Sequence, residues 1–303
     1  MTLAERLWIY QDERFPLKKT VPLLACFSAA SITLSAVLGE RSLPGVGAYV
    51  VGFLLVFILF FQLRVADEVK DGADDARFRP ERPIPRGLVS LRLIVLLGIA
   101  TIPIGIVLAL IHGAGLIWLL LLTWAWLTAM TFEFGVPESL KARPVVYLLS
   151  HMAIMPLIDL LLTGIEWLPH GGAAPGLWLF IALSFSNGCV LELGRKLWAP
   201  ENERLGVDTY SGLWGPKRAA QVWMVFIGIS AALLIGVGVA TGHALAFTLI
   251  AVAATGYCIL AALRYATYPT PQAEKQMDTL AGLWVFLCYA VAGFLPLILG
   301  GLP

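Results

Sequence analysis

Asp67, Asp71 and Asp75 recur at intervals of four residues. On a continuous helix, positions i, i+4 and i+8 share a face, so the three carboxylates line up within about two turns. Like charges held that close repel one another, and a divalent cation removes the penalty. Mg2+ suits such a row because it takes oxygen ligands, keeps several waters and shares phosphate oxygens. Glu68 joins the same edge. Arg77, Arg79, Arg82 and Arg86 follow, broken by Pro80, Pro83 and Pro85, which forbid one long helix and leave a stiff irregular loop. Guanidinium forks match phosphate oxygens. Residues 64–87, with six acids and six bases, therefore read as a metal and diphosphate site. The plain alternative is a solvated, salt-bridged loop in which Lys70 and Asp74 form an ordinary helical pair.

A second block repeats the theme over residues 191–215. Glu192, Arg195 and Lys196 stand at the end of an apolar run, and Glu201, Glu203 and Asp208 come after Pro200. Ser184 and Asn187 occupy inner turns of that run, where polar groups of a membrane helix commonly face a cavity. Two such blocks opposed across a cleft would clamp a diphosphate between two metal ions.

The elements that must position these residues are hydrocarbon. The 303-residue chain is 59% hydrophobic and 14% charged, against about 25% charged residues in soluble domains. Apolar runs fall near 21–38, 46–63, 91–111, 115–132, 144–163, 176–194, 219–240, 243–263 and 280–299. Each matches the ~20 residues that carry a helix across a bilayer. The alternation that a spanning barrel needs is absent. The expectation is an all-α polytopic membrane protein: nine transmembrane helices around a central cavity, with charged loops after the second and sixth. The shortest connection, Ala240–His243, makes the split of 219–263 the least secure. The two blocks lie four helices apart, as in a parallel repeat, giving halves of about 21–132 and 144–263 plus a ninth helix.

Of the 21 Lys and Arg residues, 20 fall on the face that carries the N-terminus, leaving Arg41 on the other. The positive-inside rule then puts the N-terminus and the charged loops in the cytoplasm of an inner or plasma membrane. Residues 1–20 lack the layout of a signal peptide and read as a cytoplasmic amphipathic segment carrying Leu3, Leu7, Trp8 and Tyr10. Cys26, Cys189, Cys258 and Cys288 lie singly in apolar runs, as small buried hydrophobes do. A net charge of +1, with no basic–aromatic patch, gives no footing for nucleic acid.

Asp67-Glu68-x-x-Asp71-x-x-x-Asp75 followed by "RPIPRG" resembles the first motif of the UbiA superfamily of intramembrane prenyltransferases, Asn-Asp-x-x-Asp-x-x-x-Asp with a following Arg-Pro and Gly. Asp replaces Asn and Glu replaces Asp, so oxygen ligands are kept. The family's second motif, Asp-x-x-x-Asp, is met by Glu192-x-x-x-Lys196, with a base in the second place; Glu201 and Glu203 are candidates for the missing carboxylate. "FGVPESLKARP" is similar to the family's segment between helices 4 and 5, with Lys141 at its lysine and Phe134 near its tyrosine. A CDP-alcohol phosphotransferase pattern, suggested by "DGADDAR", departs from this chain in spacing at two points.

The resemblance implies an enzyme that moves an isoprenyl group from an isoprenyl diphosphate to a lipophilic, aromatic acceptor, with Mg2+ assisting loss of diphosphate. It implies metal ligation by Asp67, Glu68, Asp71, Asp75, Glu192 and Glu201. Arg64, Lys141, Arg195 and Lys196 would hold the diphosphate, and Arg82 and Arg86 would anchor the loop. Trp124, Trp126, Phe132, Phe134, Tyr147, Phe185 and Tyr210 are candidate π-faces for an allylic cation, His151 a core histidine or acceptor contact, and Asp159 has no assigned role. A terpene cyclase of the same superfamily and a permease or divalent-cation transporter are the alternatives. In a cysteine-free background, a cysteine at Gly72 or Gly206 should react with an impermeant thiol reagent only from the cytoplasm, and one at Ser42 only from outside. Reversed labelling would overturn the orientation.

Overall fold

In the computed structural model, which describes residues 1–300, the α-helices are α1 (Leu3–Arg14), α2 (Leu17–Leu38), α3 (Val46–Lys70), α4 (Gly72–Phe78), α5 (Leu91–His112), α6 (Ala114–Thr131), α7 (Pro137–Lys141), α8 (Pro144–Met152), α9 (Ile154–Trp167), α10 (Leu177–Gly194), α11 (Tyr210–Trp214), α12 (Pro216–Ala240), α13 (Ala244–Thr267) and α14 (Pro271–Gly300). Among the described residues nine spans have the length and composition to cross a membrane: α2, α3, α5, α6, α8 with α9, α10, α12, α13 and α14. The protein is an all-helical, multi-pass membrane protein.

Helix ends explain where the site begins. α3 continues to Lys70 rather than stopping near 63, because Arg64–Lys70 contains no breaker and long basic side chains can reach back to the interface. α14 likewise starts at Pro271. The fifth span breaks at Ala153; the ring of Pro156 removes a backbone donor and crowds the carbonyl four residues earlier. The short connection between α12 and α13 turns on Gly242, whose φ of +75° suits glycine and few other residues.

Each spanning helix packs on the next in sequence, and α14 returns to pack against α2, closing a ring. α9 also crosses to α2, and α10 to α14, so the interior between them is filled. Polar ties hold this packed region. Asp159 of α9, fully buried, accepts hydrogen bonds from Ser31 of α2 (2.6 Å) and from Tyr289 of α14, and the Tyr289 hydroxyl also reaches Ser184 of α10. Ser230 donates to Asn187 Oδ1 (2.5 Å), and the Trp284 indole donates to Ser230 (2.9 Å). Ser184 and Asn187 thus join helices instead of facing a cavity. Such bonds contribute about 0.6–2 kcal/mol each in membranes. On the face opposite the charged loops, Arg41 meets buried Glu166 (3.2 Å), which also accepts from Ser35 (2.6 Å).

Small residues let the ring close. A Cβ built on Gly293 of α14 would collide with the backbone of Ala30 in α2. Gly293→Val should lower the thermal midpoint of the detergent-solubilised protein, at an overpacking cost of about 1–3 kcal/mol. Gly228→Ala, where an added Cβ meets nothing within 4 Å, should not lower it.

Candidate active site

A cleft of about 200 Å³ opens at the charged end of the helices. One wall comes from the α3–α4 junction, with Lys70, Asp71, Asp74 and Arg79; the second from Glu133, Lys141, Pro144 and Tyr147; the third from Lys196, Asp208, Thr209 and Tyr210. Three membrane-face segments far apart in sequence therefore meet at one place.

The first two walls are joined through Lys70. Its ammonium donates to the Tyr147 hydroxyl and lies 3.3 Å from His151 Nε2 and 3.5 Å from Glu133 Oε1. The Lys70–Asp74 helical pair is not made; Lys70 reaches across to the fifth span. His151 is buried and stacks on Tyr147 at 3.9 Å. Its Nδ1 faces the Tyr147 carbonyl (2.9 Å), which can only accept, so Nδ1 carries the hydrogen and Nε2 accepts from Lys70. The histidine is a neutral strut.

Glu133 sits in a backbone that few residues tolerate. Glu133 (φ +49°) and Phe134 (φ +54°) are both left-handed, and Gly135 (φ +72°) follows. Each non-glycine residue held there costs on the order of 1–3 kcal/mol. The Glu133 side chain is 8% exposed, and its Oε2 is buried without a hydrogen-bond partner. An unsatisfied buried acceptor costs about 1–3 kcal/mol more.

The third wall is built on the end of α10. Glu192 meets Lys196 (2.9 Å) and Arg195 (3.2 Å). The loop beyond folds back so that the Tyr210 amide donates to the Lys196 carbonyl (3.1 Å), and Glu203 fastens it by accepting from Thr209 (2.6 Å) and Ser211 (2.8 Å). Burial opposes the charge on Lys196, yet the adjoining Glu192 carboxylate holds its pKa above the ordinary lysine value. Glu192 raises that of Arg195 as well. Burial, and then the charge of Glu192, pushes the Tyr210 phenol up. Lys196 and Arg195 are therefore cations, and Tyr210 a neutral phenol, at any physiological pH. Arg195 and Asp67 each keep 50% of the side chain accessible although protein crowds both and each senses the other's charge. Arg64 contacts Asp67 (3.2 Å) and leaves its Nε unpaired.

The UbiA prenyltransferase family model matches residues 23–287. The chain belongs to this family. A solved structure of digeranylgeranylglyceryl phosphate synthase is similar in fold, with a TM-score of 0.62 at 14% identity, over 95% of this chain and 99% of that one. No curated protein matches significantly. As a member of the UbiA family, the protein is an intramembrane prenyltransferase, and its donor and acceptor are of the family's kind, an isoprenyl diphosphate and a lipophilic molecule.

Within this UbiA fold, the residues expected to act divide into two groups. Asp71, Lys141 and Lys196 line the cleft, while Arg64 pairs with Asp67 and Arg195 with Glu192. Glu68, Asp75 and Glu201 lie elsewhere. Glu68 turns toward α1, accepting from Arg14 (2.6 Å) and Tyr10 (3.4 Å). Asp75 is buried between Arg79 (2.9 Å) and Arg82 (2.6 Å), and Arg86 pairs with Glu13 (2.7 Å). Glu201 is exposed on the turn Pro200–Asn202. The row of three aspartates is divided locally: α3 stops at Lys70 and α4 starts at Gly72, with Asp71 between them, and Arg79 and Arg82 take the carboxylate of Asp75.

Asp74 and Asp208 supply cleft carboxylates in place of Asp75 and Glu201. Glu133 was missed altogether; an acid directly after an apolar run and before Phe-Gly was its only signal. Among the described residues no three His, Cys, Asp or Glu side chains converge into a protein-only metal cage. Exposed carboxylates opposite lysines fit an ion that shares a diphosphate. If Asp75 is a strut, Asp75→Asn should lower the thermal midpoint, and added Mg2+ should not restore activity. Asp71→Asn should leave the midpoint unchanged and raise the Mg2+ needed for half-maximal rate. The opposite pattern would make Asp75 the ligand.

Proposed function

We propose that the protein transfers an isoprenyl group from an isoprenyl diphosphate to an aromatic lipophilic acceptor with the help of Mg2+, its active cleft facing the cytoplasm. One observation carries this reading: four carboxylates, Asp71, Asp74, Glu133 and Asp208, and four bases, Lys70, Arg79, Lys141 and Lys196, surround one cleft at the end of a membrane-embedded bundle. A diphosphate is the anion that needs both sets, and the surrounding bilayer takes an apolar tail.

Lys141 and Lys196 bind the diphosphate oxygens, with Arg64 and Arg195 positioned behind them. The allylic C1–O bond breaks with its electron pair leaving on the diphosphate; the acceptor supplies the pair for the new bond to C1 and gives up a proton. Fixed cations aimed at the departing oxygens lower the barrier most where water is scarce. Asp71, Asp74 and Asp208 are the carboxylates that would share Mg2+ with the diphosphate oxygens, and the ion would supply further neutralisation of the leaving group. Tyr147 and Tyr210 line the cleft, where aromatic rings near a developing cation stabilise it. The arginines that hold Asp75 keep the loop stiff, so the carboxylates do not collapse onto the lysines when the site is empty.

The deciding experiment incubates the purified protein with C10, C15 and C20 isoprenyl diphosphates, Mg2+ and a panel of aromatic acceptors, with mass analysis of the lipid products. Transfer should stop in EDTA and return with Mg2+. Lys196→Met should lower the rate on the order of 10–10³-fold and stay low at saturating metal, by analogy with losing one charge-stabilising donor. Undiminished transfer in EDTA would remove the metal from the reading.

A further inference from the structure

The geometry points to Glu133 as the residue that receives the acceptor, by taking a hydrogen bond from an acceptor hydroxyl on its free carboxylate oxygen. This rests on the transfer reading above and adds a specificity-determining residue and a chemical requirement on the acceptor.

Glu133 differs from the other acids of the cleft. Asp74 and Asp208 are exposed and Asp71 is half-buried, so water satisfies them between turnovers. Glu133 is buried, its Oε1 is turned to Lys70 (3.5 Å), and its Oε2 has no donor from the protein. An unpaired buried acceptor calls for a specific cause, and a functional role is one of the few.

The kind of partner follows by elimination. A diphosphate oxygen would repel the carboxylate. A divalent cation would be opposed by the Lys70 ammonium already beside Oε1, while Asp71, Asp74 and Asp208 offer it sites with no ion pair of their own. A neutral O–H donor faces neither objection. Aromatic side chains adjoin Glu133: Tyr147 lines the cleft with it and stacks on His151 (3.9 Å), whose ring meets Phe134 edge-on (6.0 Å). An aromatic molecule seated there, with its hydroxyl on Glu133, would share the cleft with a diphosphate held by Lys141 and Lys196.

The backbone gives an independent reason. A glycine at position 133 would adopt φ +49° without strain, yet the position carries a glutamate. Glu133→Gly therefore removes the side chain while easing the turn, so the variant should fold at least as well as the parent.

The test uses the full-length protein with the isoprenyl diphosphate that turns over best, and phenols and naphthols each paired with its methyl ether. The parent should prefer hydroxyl over ether by ~10²-fold or more in kcat/KM, as sites built around a substrate hydroxyl do. In Glu133→Gly and Glu133→Ala that preference should fall to within about threefold, while the Kd of a non-hydrolysable thiolodiphosphate analogue of the donor stays within twofold and the thermal midpoint is kept. A preference that survives in Glu133→Gly overturns the assignment. So does a tenfold loss of donor affinity, which would place Glu133 with the diphosphate. Turnover of ethers and hydroxyls alike by the parent overturns it too, with transfer itself intact. If no isoprenyl diphosphate is bound or consumed, the transfer reading fails first, and this assignment with it.

Discussion

A charge in hydrocarbon must find a partner or be moved to the water. Isolated charges at mid-bilayer cost several kcal/mol, and the protein obeys this without exception among its described spans. Asp159 is met by hydroxyls from neighbouring helices, and Glu166 by Arg41 and Ser35. Almost every other ionisable group is carried to one end of the bundle. Concentrating charge there creates both the electrostatics that a diphosphate needs and the danger that acids and bases simply neutralise each other. Irregular backbone prevents this collapse. The break at Asp71–Gly72, the left-handed turn at Glu133–Gly135 and the loop folded back onto Lys196 each hold a side chain where a regular helix could not.

The α1 helix belongs to the same economy. It lies before the first span, yet through Arg14, Tyr10 and Glu13 it grips Glu68 and Arg86 on either side of the first charged loop. Trp8, 61% exposed, points away from the bundle, as aromatic side chains at a membrane interface do. The loop is thus braced from outside by α1 and from within by Asp75.

The architecture was legible in the sequence because the solvent dictates it. Nine apolar runs of bilayer length admit one class of answer, and one of 21 basic residues out of place sharpened it. The cleft was half legible. Asp71 and Lys196 followed from residue type and spacing and Lys141 from the family resemblance, but Glu68 and Asp75 pair with other parts of the protein and Glu201 is exposed on its turn. Spacing tells which residues share a helical face only while the helix lasts, and α3 stops at Lys70, just before Asp71. Nor does sequence show which arginine takes which carboxylate: Arg82 lies seven positions from Asp75 and Arg14 fifty-four from Glu68. Glu133 was invisible for a related reason, since its meaning lies in a backbone angle and an unpaired atom.

The closure of α14 onto α2 has a consequence for how the protein is made. Helices enter the membrane in order, and each has its sequence neighbour waiting; the first and last partners are separated by the whole length of synthesis. Until α14 arrives, the face of α2 around Ala30 has only lipid against it, and Asp159 lacks the hydroxyl of Tyr289. The nascent chain therefore passes through an open arc of helices with a half-satisfied acid facing the bilayer. Long-range contacts of this kind form late and leave sticky intermediates. An arc stalled short of its ninth helix is the form that membrane quality control would meet, and its exposed carboxylate is a ready mark by which to tell it from the finished ring.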